Sequence, residues 1–195
     1  MDRITAISTY FSEEIVDAES HEQWVAAKEI LDADPLFLGA GAMGYVFNNG
    51  DGTCTKYCVV PKNDKDNELV NAQLAHELGL GPAVYSTEII TDLGEELLVS
   101  YTMDFLEGMT LQDYMKQGSE WESWVPEYLP QLIGYMHGCG LVHHDLHKEN
   151  IWITPDLDIL FIDWGISSSQ GEASPQEKDW DYIYSGVIKE SPINI

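Results

Sequence analysis

Two short motifs, separated by the pattern of an apolar hairpin, constrain the fold of this chain more than any other feature. The first motif is H-x-D-L-x-x-x-N, at residues 143–150, and the second is D-x-G, at residues 163–165. Between them, residues 151–153 and 159–162 predict two short strands joined by a turn. Because a hairpin brings its two ends together, Asn150 and Asp163 could share one metal ion.

Asp145, Asn150 and Asp163 are the residue types that phosphoryl transfer needs. One carboxylate must face the attacking hydroxyl group, while an amide and a second carboxylate hold Mg²⁺ on the ATP phosphates. A surface loop that contains acids by chance would not be expected to match both spacings. The histidines at 143, 144 and 147 could be read as a metal site, but the loop pattern explains them better. The two motifs resemble the catalytic and metal loops of the protein-kinase superfamily.

The pattern G-x-G-x-x-G-x-V places Gly39, Gly41, Gly44 and Val46 in one short segment. Alone it would also suit a dinucleotide-binding turn, which requires a helix directly after the glycines. Here the segment predicts a strand at 45–47, a hairpin turn, and a second strand that includes residues 58–60. The order strand, turn, strand favours a phosphate lid, in which glycine lets backbone N–H groups approach phosphate without a Cβ clash.

Lys62 ends the segment Val59-Val60-Pro61-Lys62 and resembles the strand lysine that contacts the α- and β-phosphates in kinases. Pro61 departs from that pattern and suggests an edge position. Lys56 and Lys65 remain alternatives.

A helix is predicted over residues 67–78, with apolar positions 69, 70, 72, 74 and 78 toward the core and Gly79 as its stop. Glu68 lies in its first turn, where a carboxylate favours the helix dipole. The resemblance implies that Glu68 pairs with Lys62, and Glu77 is the alternative partner.

A strand that begins at residue 97 runs into a linker, and a helix capped by Thr110 and Asp113 follows. This order resembles the kinase hinge, which binds adenine. The resemblance implies that Met103 lines the back of the nucleotide site and that Asp104 and Leu106 offer main-chain contacts. Val46 and Val60 complete the expected nucleotide contacts.

The resemblance covers roughly residues 36–190 and is closest to small atypical kinases, namely the kinase–ATPase of the KEOPS tRNA-modification complex and, more distantly, RIO kinases. Residues 78–85, 105–111 and 176–184 carry the local similarity. In the last of these segments, the resemblance implies that Asp181 anchors the catalytic loop.

We therefore expect an α+β, minimal bilobal, protein-kinase-like fold. The expected divisions are an N-terminal helical extension at 1–35, an N-lobe with a five-stranded antiparallel sheet at 36–106, and a C-lobe at 107–195. Residues 166–195 contain no A-P-E segment, so this last lobe is expected to be reduced. In the extension, Ser20 starts a predicted capping box, and Trp24, Ala27, Ile30 and Leu31 form one apolar face that could pack on the N-lobe.

The formal net charge of −25 is the second unusual property. It argues against binding of a nucleic-acid backbone through a basic patch. Solubility or a salt-rich habitat, a basic protein partner, and mimicry of nucleic acid are three explanations. The chain shows no apolar run of about 18 residues and no secretory h-region, and its three cysteines form no C-x-x-C pair, so we expect a cytoplasmic protein without a membrane span.

These features predict an ATP- and Mg²⁺-dependent phosphotransferase, an atypical serine/threonine kinase or ATPase that acts on or with a protein partner. The expected catalytic residues are Asp145, Lys62 and Glu68, and the expected metal ligands are Asn150 and Asp163. Two alternatives are a small-molecule phosphotransferase and a pseudokinase that serves as an acidic binding module.

Overall fold

The computed structural model describes residues 1–11, 18–41, 44–63, 66–118, 121–169 and 177–188. The α-helices are α1 (Arg3–Phe11), α2 (Ala18–Asp32), α3 (Asn67–Glu77), α4 (Leu111–Lys116), α5 (Trp121–Gly138) and α6 (Glu177–Ile183), which continues as a π-helical segment, Tyr184–Ile188. The strands are β1 (Phe37–Gly41), β2 (Gly44–Asn48), β3 (Thr53–Pro61), β4 (Val84–Asp92), β5 (Glu96–Asp104), β6 (Met109–Thr110), β7 (Leu141–Val142), β8 (Ile151–Ile153), β9 (Ile159–Phe161) and β10 (Ser168–Ser169). The expected α+β class is confirmed.

The chain forms two compact units, which we call the first and the second unit. The first comprises Met1–Lys65 with Val84–Phe105, and the second comprises Asp66–Ala83 with Leu106–Ile195. Helix α3 therefore groups with the second unit. In the described ranges, no helix is both long and apolar enough to cross a membrane.

The first unit is built on a five-stranded antiparallel sheet with the strand order β1-β2-β3-β5-β4. One face of this sheet carries Tyr45, Phe47 and Leu98, which form a core with apolar residues of α1 and α2. The predicted docking of the extension on the sheet is therefore confirmed. Ala27 and Leu31 are fully buried in that core, Ile30 packs against it, and Trp24 stacks on Tyr10.

The extension differs from its prediction in one detail. Helix α2 is already helical at Ala18, so Ser20 lies inside the helix and is not its N-cap. The end at Asp32 agrees with the sequence, which continues into Pro35.

Arg3 joins α1 to the chain beyond α2. Its guanidinium donates to both carboxylate oxygens of Asp34, at 2.7 and 2.9 Å, and lies 4.5 Å from the centre of the Phe47 ring. Bidentate pairing and cation–π contact both depend on the planar guanidinium. Arg3, the chain's one arginine, therefore helps to fix the extension on the sheet.

Helix α3 in the second unit agrees with the predicted bounds, but its buried face matches the prediction only in part. Its buried residues are Glu68, Asn71, Ala72 and Ala75, whereas Val70 is 51% exposed. The predicted apolar face is correct at Ala72 and wrong at Val70, while residues 69, 74 and 78 are half-buried. The buried face can be polar because the Asn71 Nδ2 donates to the Ser167 carbonyl oxygen and to Asn67.

Candidate active site

The two motifs are brought together by the predicted hairpin of β8 and β9. Ile151 pairs with Phe161, and the Ile162 N–H donates to the Asn150 carbonyl oxygen at 3.0 Å. Asn150 and Asp163 therefore lie at the same end of the hairpin, as the sequence predicts. The strands are apolar and buried at Ile151, Ile153, Ile159 and Phe161, which fixes the hairpin in the core of the second unit.

His143 connects the loop of Asp145 to the loop of Asp163. Its Nε2 lies 2.9 Å from the Ile162 carbonyl oxygen, and its Nδ1 accepts the Asp145 N–H at 3.3 Å. Burial lowers the pKa of the fully buried His143, so the ring is neutral at pH 7. A neutral ring with its proton on Nε2 satisfies both contacts, because one nitrogen donates and the other accepts.

The backbone of this loop is anchored by Asp179 of α6. One Asp179 carboxylate oxygen accepts the His143 N–H at 3.0 Å, and the other accepts the His144 N–H at 2.8 Å. The His137 Nε2 lies 2.9 Å from the same carboxylate, and Asp179 is fully buried. The anchoring role expected of Asp181 therefore belongs to Asp179, while Asp181 is exposed. Gln176, at the start of the same predicted segment, lies outside the described residues.

The Asn150 amide is oriented by Asp145. Its Nδ2 donates to the Asp145 carbonyl oxygen at 2.9 Å and to the Asp145 Oδ2 at 3.2 Å. Both contacts use the nitrogen, so Oδ1 is the amide atom that remains for a cation. Oxygen ligands of this kind, with a carboxylate such as Asp163, suit Mg²⁺.

His144 and Asp163 both adopt left-handed backbone conformations, with φ of 68° and 64°. Such conformations are uncommon for residues other than glycine and cost roughly 1–2 kcal/mol each. They recur at functional sites, where the surrounding structure holds them in place. Here Asp179 and Ser168 hold His144, because the His144 Nε2 lies 2.7 Å from the Ser168 hydroxyl group.

Glu68 lies in the first turn of α3, as predicted, and is 7% exposed. A Cβ added to Gly165 would lie 3.5 Å from the Glu68 Oε2 and 3.6 Å from the Asp163 Oδ1. Glu68 therefore packs against the D-x-G segment of its own unit.

Four of the residues expected to contact a nucleotide, together with Lys56, lie on one sheet face of the first unit. Val46 pairs with Lys56, Gly44 with Cys58, and Met103 with Cys54. Residues directly opposite in a ladder lie on the same face, and alternate residues along a strand return to it. Gly44, Val46, Lys56, Val60 and Met103 thus share the face opposite to the core formed with α1 and α2.

Lys62 is not on this face, because β3 ends at Pro61. Lys62 lies in the turn beyond it and pairs with Asp92 at 2.8 Å, and both side chains are exposed. The expectation that Lys62 lies on a strand is therefore wrong. Lys56, one of the alternatives, is in the middle of β3 and is 7% exposed. Lys65, the other alternative, lies outside the described residues.

The strand, turn and strand predicted after the first glycines are observed as β2 and β3, which are joined through residues 49–52. Gly39 and Gly41 belong to β1, Gly44 begins β2, and Gly41 pairs with Gly44. A Cβ on Gly44 would lie 2.5 Å from the Tyr57 carbonyl oxygen, so only glycine fits there, whereas Gly39 has open space. Residues 42 and 43 lie outside the described residues.

The residues expected to form the hinge lie at the end of β5 and directly after it. Asp104 ends the strand, and its side chain accepts a hydrogen bond from the Tyr85 hydroxyl group. Leu106, assigned to the second unit, is partly buried. Thr110 caps α4 as predicted, because its hydroxyl oxygen accepts the Asp113 N–H at 3.1 Å.

His147 lies beside the candidate base, with its Nε2 3.5 Å from the Asp145 Oδ2. Sequence reasoning assigned no role to His137 or Asp179 and treated Lys56 only as an alternative to Lys62. For Lys56, the signal was its alternation with Cys54 and Cys58 in a strand directly after a hairpin turn. For His137, local sequence carries no signal that separates it from other helical histidines.

No family model matches the chain. It is 25% identical over 154 residues to the serine/threonine-protein kinase PknD of Chlamydia abortus, covering 68% of this chain and 16% of that protein. It is 26% identical over 156 residues to PknD of Chlamydia pneumoniae, covering 69% of this chain and 17% of that protein. With mitogen-activated protein kinase kinase kinase 3 of Arabidopsis thaliana, identity is 26% over 143 residues, covering 67% of this chain and 24% of that protein.

The chain therefore spans about a sixth to a quarter of the length of these curated relatives. The described elements, with a five-stranded antiparallel sheet and helices, are compatible with a small kinase-like fold. Together, the sequence similarity and the fold support a place for this chain in the protein-kinase-like superfamily.

Proposed function

We propose that this protein is an ATP- and Mg²⁺-dependent phosphotransferase, an atypical serine/threonine kinase or ATPase. The observation that carries the proposal is the connected loop structure of the second unit. His143 joins the Asp145 backbone to Ile162, and Asp145 orients the Asn150 amide. This network keeps a candidate base and two oxygen ligands in one arrangement, which is what phosphoryl transfer requires.

In this proposal Asp145 orients the acceptor hydroxyl group, or water, and accepts its proton. Asn150 and Asp163 hold the metal ion through oxygen atoms. Bound Mg²⁺ would neutralise phosphate charge, which matters in a chain of net charge −25. Glu68 supports the D-x-G segment against which it packs.

We assign phosphate contact in the first unit to Lys56 rather than to Lys62. Lys56 is on the sheet face that carries Val46, Val60 and Met103, whereas Lys62 is in a turn and pairs with Asp92. The glycines 39, 41 and 44 would close over phosphate, with Asp104 and Leu106 near adenine. An ammonium group on a strand is held more firmly than one in an exposed turn.

We further propose that the enzyme resembles the small atypical kinases, of which the KEOPS and RIO enzymes are examples, and that it acts on or with a basic protein partner. The net charge of −25 supports a basic partner. The cysteines, Cys54, Cys58 and Cys139, are free thiols, which suits a reducing compartment such as the cytoplasm.

The proposal is tested by calorimetric titration of ATP with Mg²⁺ and with a chelator. Asp163→Asn is the informative variant, because asparagine tolerates the left-handed backbone but lacks the carboxylate charge. We expect Mg²⁺ to strengthen ATP binding to the wild type, and Asp163→Asn to lose most of that gain. Equal ATP affinity with and without Mg²⁺ in the wild type would refute the metal assignment. Binding without single-turnover ATP consumption would instead favour a pseudokinase.

A further inference from the structure

A cavity of about 340 Å³ lies at the end of the β8–β9 hairpin that is far from Asn150 and Asp163. One wall consists of Trp124, Glu127, Tyr128 and Gln131 of α5, and the other of Leu157 and Asp158 in the hairpin turn. Each hairpin strand has three residues, so the two ends are separated by roughly 10 Å. The cavity, which we call the turn pocket, is therefore distinct from the candidate active site.

The turn pocket exposes apolar surface that the fold does not use. Tyr128 is 43% exposed and Leu157 is 49% exposed. Leu157 also has a left-handed backbone, with φ of 67°, where glycine or asparagine would be less strained. The turn is held by hydrogen bonds from the Leu157 N–H to the Thr154 carbonyl oxygen and from the Thr154 N–H to the Asp158 carbonyl oxygen, both 3.0 Å. A strained leucine presented to solvent by a rigid turn suits contact with another molecule.

The indole of Trp124 is the second unusual feature of the pocket. Its Nε1 is buried and has no hydrogen-bond partner. An unpaired buried donor costs about 1–3 kcal/mol. The indole ring itself is only partly buried, so it can still form a wall for a ligand.

The pocket also carries uncompensated negative charge. Glu127 and Asp158 line it, and among the described residues no lysine or arginine pairs with either carboxylate. Gln131 directs its Nε2 to the Glu127 backbone carbonyl oxygen at 3.0 Å, and so does not neutralise the carboxylate. The chain has few cations in total, and at this pocket two acids lie beside aromatic and apolar walls.

We propose that the turn pocket is a docking site for a basic segment of a protein partner, with one arginine side chain inserted and an apolar neighbour against Leu157. A guanidinium stacks on aromatic faces and binds carboxylates through a planar fork of donors, which matches the walls and the rim. An apolar ligand alone would leave both carboxylates to be desolvated without compensation, and an anion would be repelled. This docking does not depend on phosphotransferase activity, because the pocket shares no residue with the candidate active site.

The test uses the full chain without nucleotide and a defined probe, N-acetyl-Leu-Arg-Leu amide. Its matched control replaces arginine by citrulline, which keeps the shape and removes the charge. Binding is followed by the ¹H–¹⁵N signal of the Trp124 indole, assigned with Trp124→Phe. We expect a saturable shift with the arginine peptide, and affinity about tenfold lower for the citrulline peptide.

Two double variants separate local charge from net charge. Glu127→Gln with Asp158→Asn should weaken binding of the arginine peptide about tenfold. Glu22→Gln with Glu29→Gln, on exposed positions of α2, removes the same number of charges and should leave binding within about twofold. Equal weakening by both pairs, equal affinity for the two peptides, or no saturable shift of the Trp124 signal in the millimolar range would each overturn the proposal. Loss of ATP turnover in active-site variants would count against the phosphotransferase proposal but not against docking at the turn pocket. The two proposals can therefore fail independently.

Discussion

Asp179 holds the loop of the candidate base through its backbone rather than through a side chain. It accepts N–H groups from His143 and His144 and contacts the His137 Nε2, all while fully buried. It thereby holds the backbone N–H of His144, which has a left-handed conformation and directly precedes Asp145. Asp179 is a positioning residue, since it touches neither of the proposed metal ligands.

Asp179→Asn should therefore impair both stability and turnover. The asparagine amide would place its NH2 donor against one of the two backbone N–H groups, and we expect a loss of about 2–4 kcal/mol in the free energy of unfolding. Asp181→Asn is the matched control, because Asp181 is an exposed acid in the same helix. Denaturant unfolding and single-turnover ATP consumption measure the two effects. Equal behaviour of the two variants would contradict the assignment.

Lys56 and Lys62 give a second matched pair at the residue scale. Lys56→Met should lower ATP affinity or turnover by at least tenfold, because a buried strand ammonium is removed from the proposed nucleotide face. Lys62→Met should leave both within about twofold, since an exposed ion pair such as Lys62–Asp92 contributes about 0–1 kcal/mol. If Lys62→Met lowered ATP affinity more than Lys56→Met in nucleotide titration, phosphate contact would be assigned to Lys62 instead.

Local sequence pointed to Asp181 where the structure shows Asp179 as the loop anchor, and to Lys62 where we propose Lys56. Asp179 and Asp181 are two residues apart in one helix, and only burial distinguishes them. Lys62 matched a motif in which the lysine lies at the end of a strand. The register that places Lys56 opposite Val46 depends instead on the length of the turn at residues 49–52. Motif spacing along the chain cannot supply either fact. The role of Asp145, Asn150 and Asp163 remains a prediction that rests on their arrangement.

At the scale of elements, α3 shows why apolar periodicity can mislead. Its bounds follow from local signals, since Gly79 with φ of 72° ends it. Its buried face follows from partners that local sequence does not reveal, because Ser167 accepts from Asn67 and Asn71. A helix that supports a site can bury polar residues and leave Val70 exposed. By contrast, α2 buries the predicted residues because its partner is an ordinary apolar core.

The attachment of α1 and α2 to the sheet should depend on pH through Asp34. The hydrogen bond from Arg3 is the main cause that lowers the pKa of Asp34 below its ordinary value. The folded state then binds this proton less readily than the unfolded state. The stabilising contribution of the Arg3–Asp34 pair is complete above the ordinary Asp pKa of about 3.9. It is lost as pH falls through the lower folded-state pKa of Asp34.

We therefore expect Asp34→Asn to lower the free energy of unfolding by about 1 kcal/mol at neutral pH, since the pair is partly buried. The difference from wild type should shrink as pH falls below about 4. Glu22→Gln, an exposed change on α2, serves as the control for loss of one negative charge. A difference between Asp34→Asn and wild type that stays constant from pH 7 to pH 3 would argue against the Arg3 pair as its cause.

At the scale of the whole molecule, the sequence predicted the α+β class, the five-stranded antiparallel sheet and the hairpin of the second unit. Those features have strong local signals, such as the turn at residues 49–52 and alternating strands. The net charge of −25 remains unexplained by the fold, because acids are distributed along the chain. A basic partner would account for it and for the turn pocket together.

We propose that Asp145 acts as the base of a phosphoryl transfer, and one matched measurement tests this role most directly. Single-turnover ATP consumption and ATP affinity are measured for wild type, Asp145→Asn and Asp156→Asn, an exposed acid in the hairpin turn. Asparagine keeps the size of the side chain but cannot accept the proton, so we expect Asp145→Asn to lose about 10²–10⁴-fold in turnover with ATP affinity nearly unchanged. Asp156→Asn should behave like wild type. Turnover of Asp145→Asn within about twofold of wild type would contradict the account.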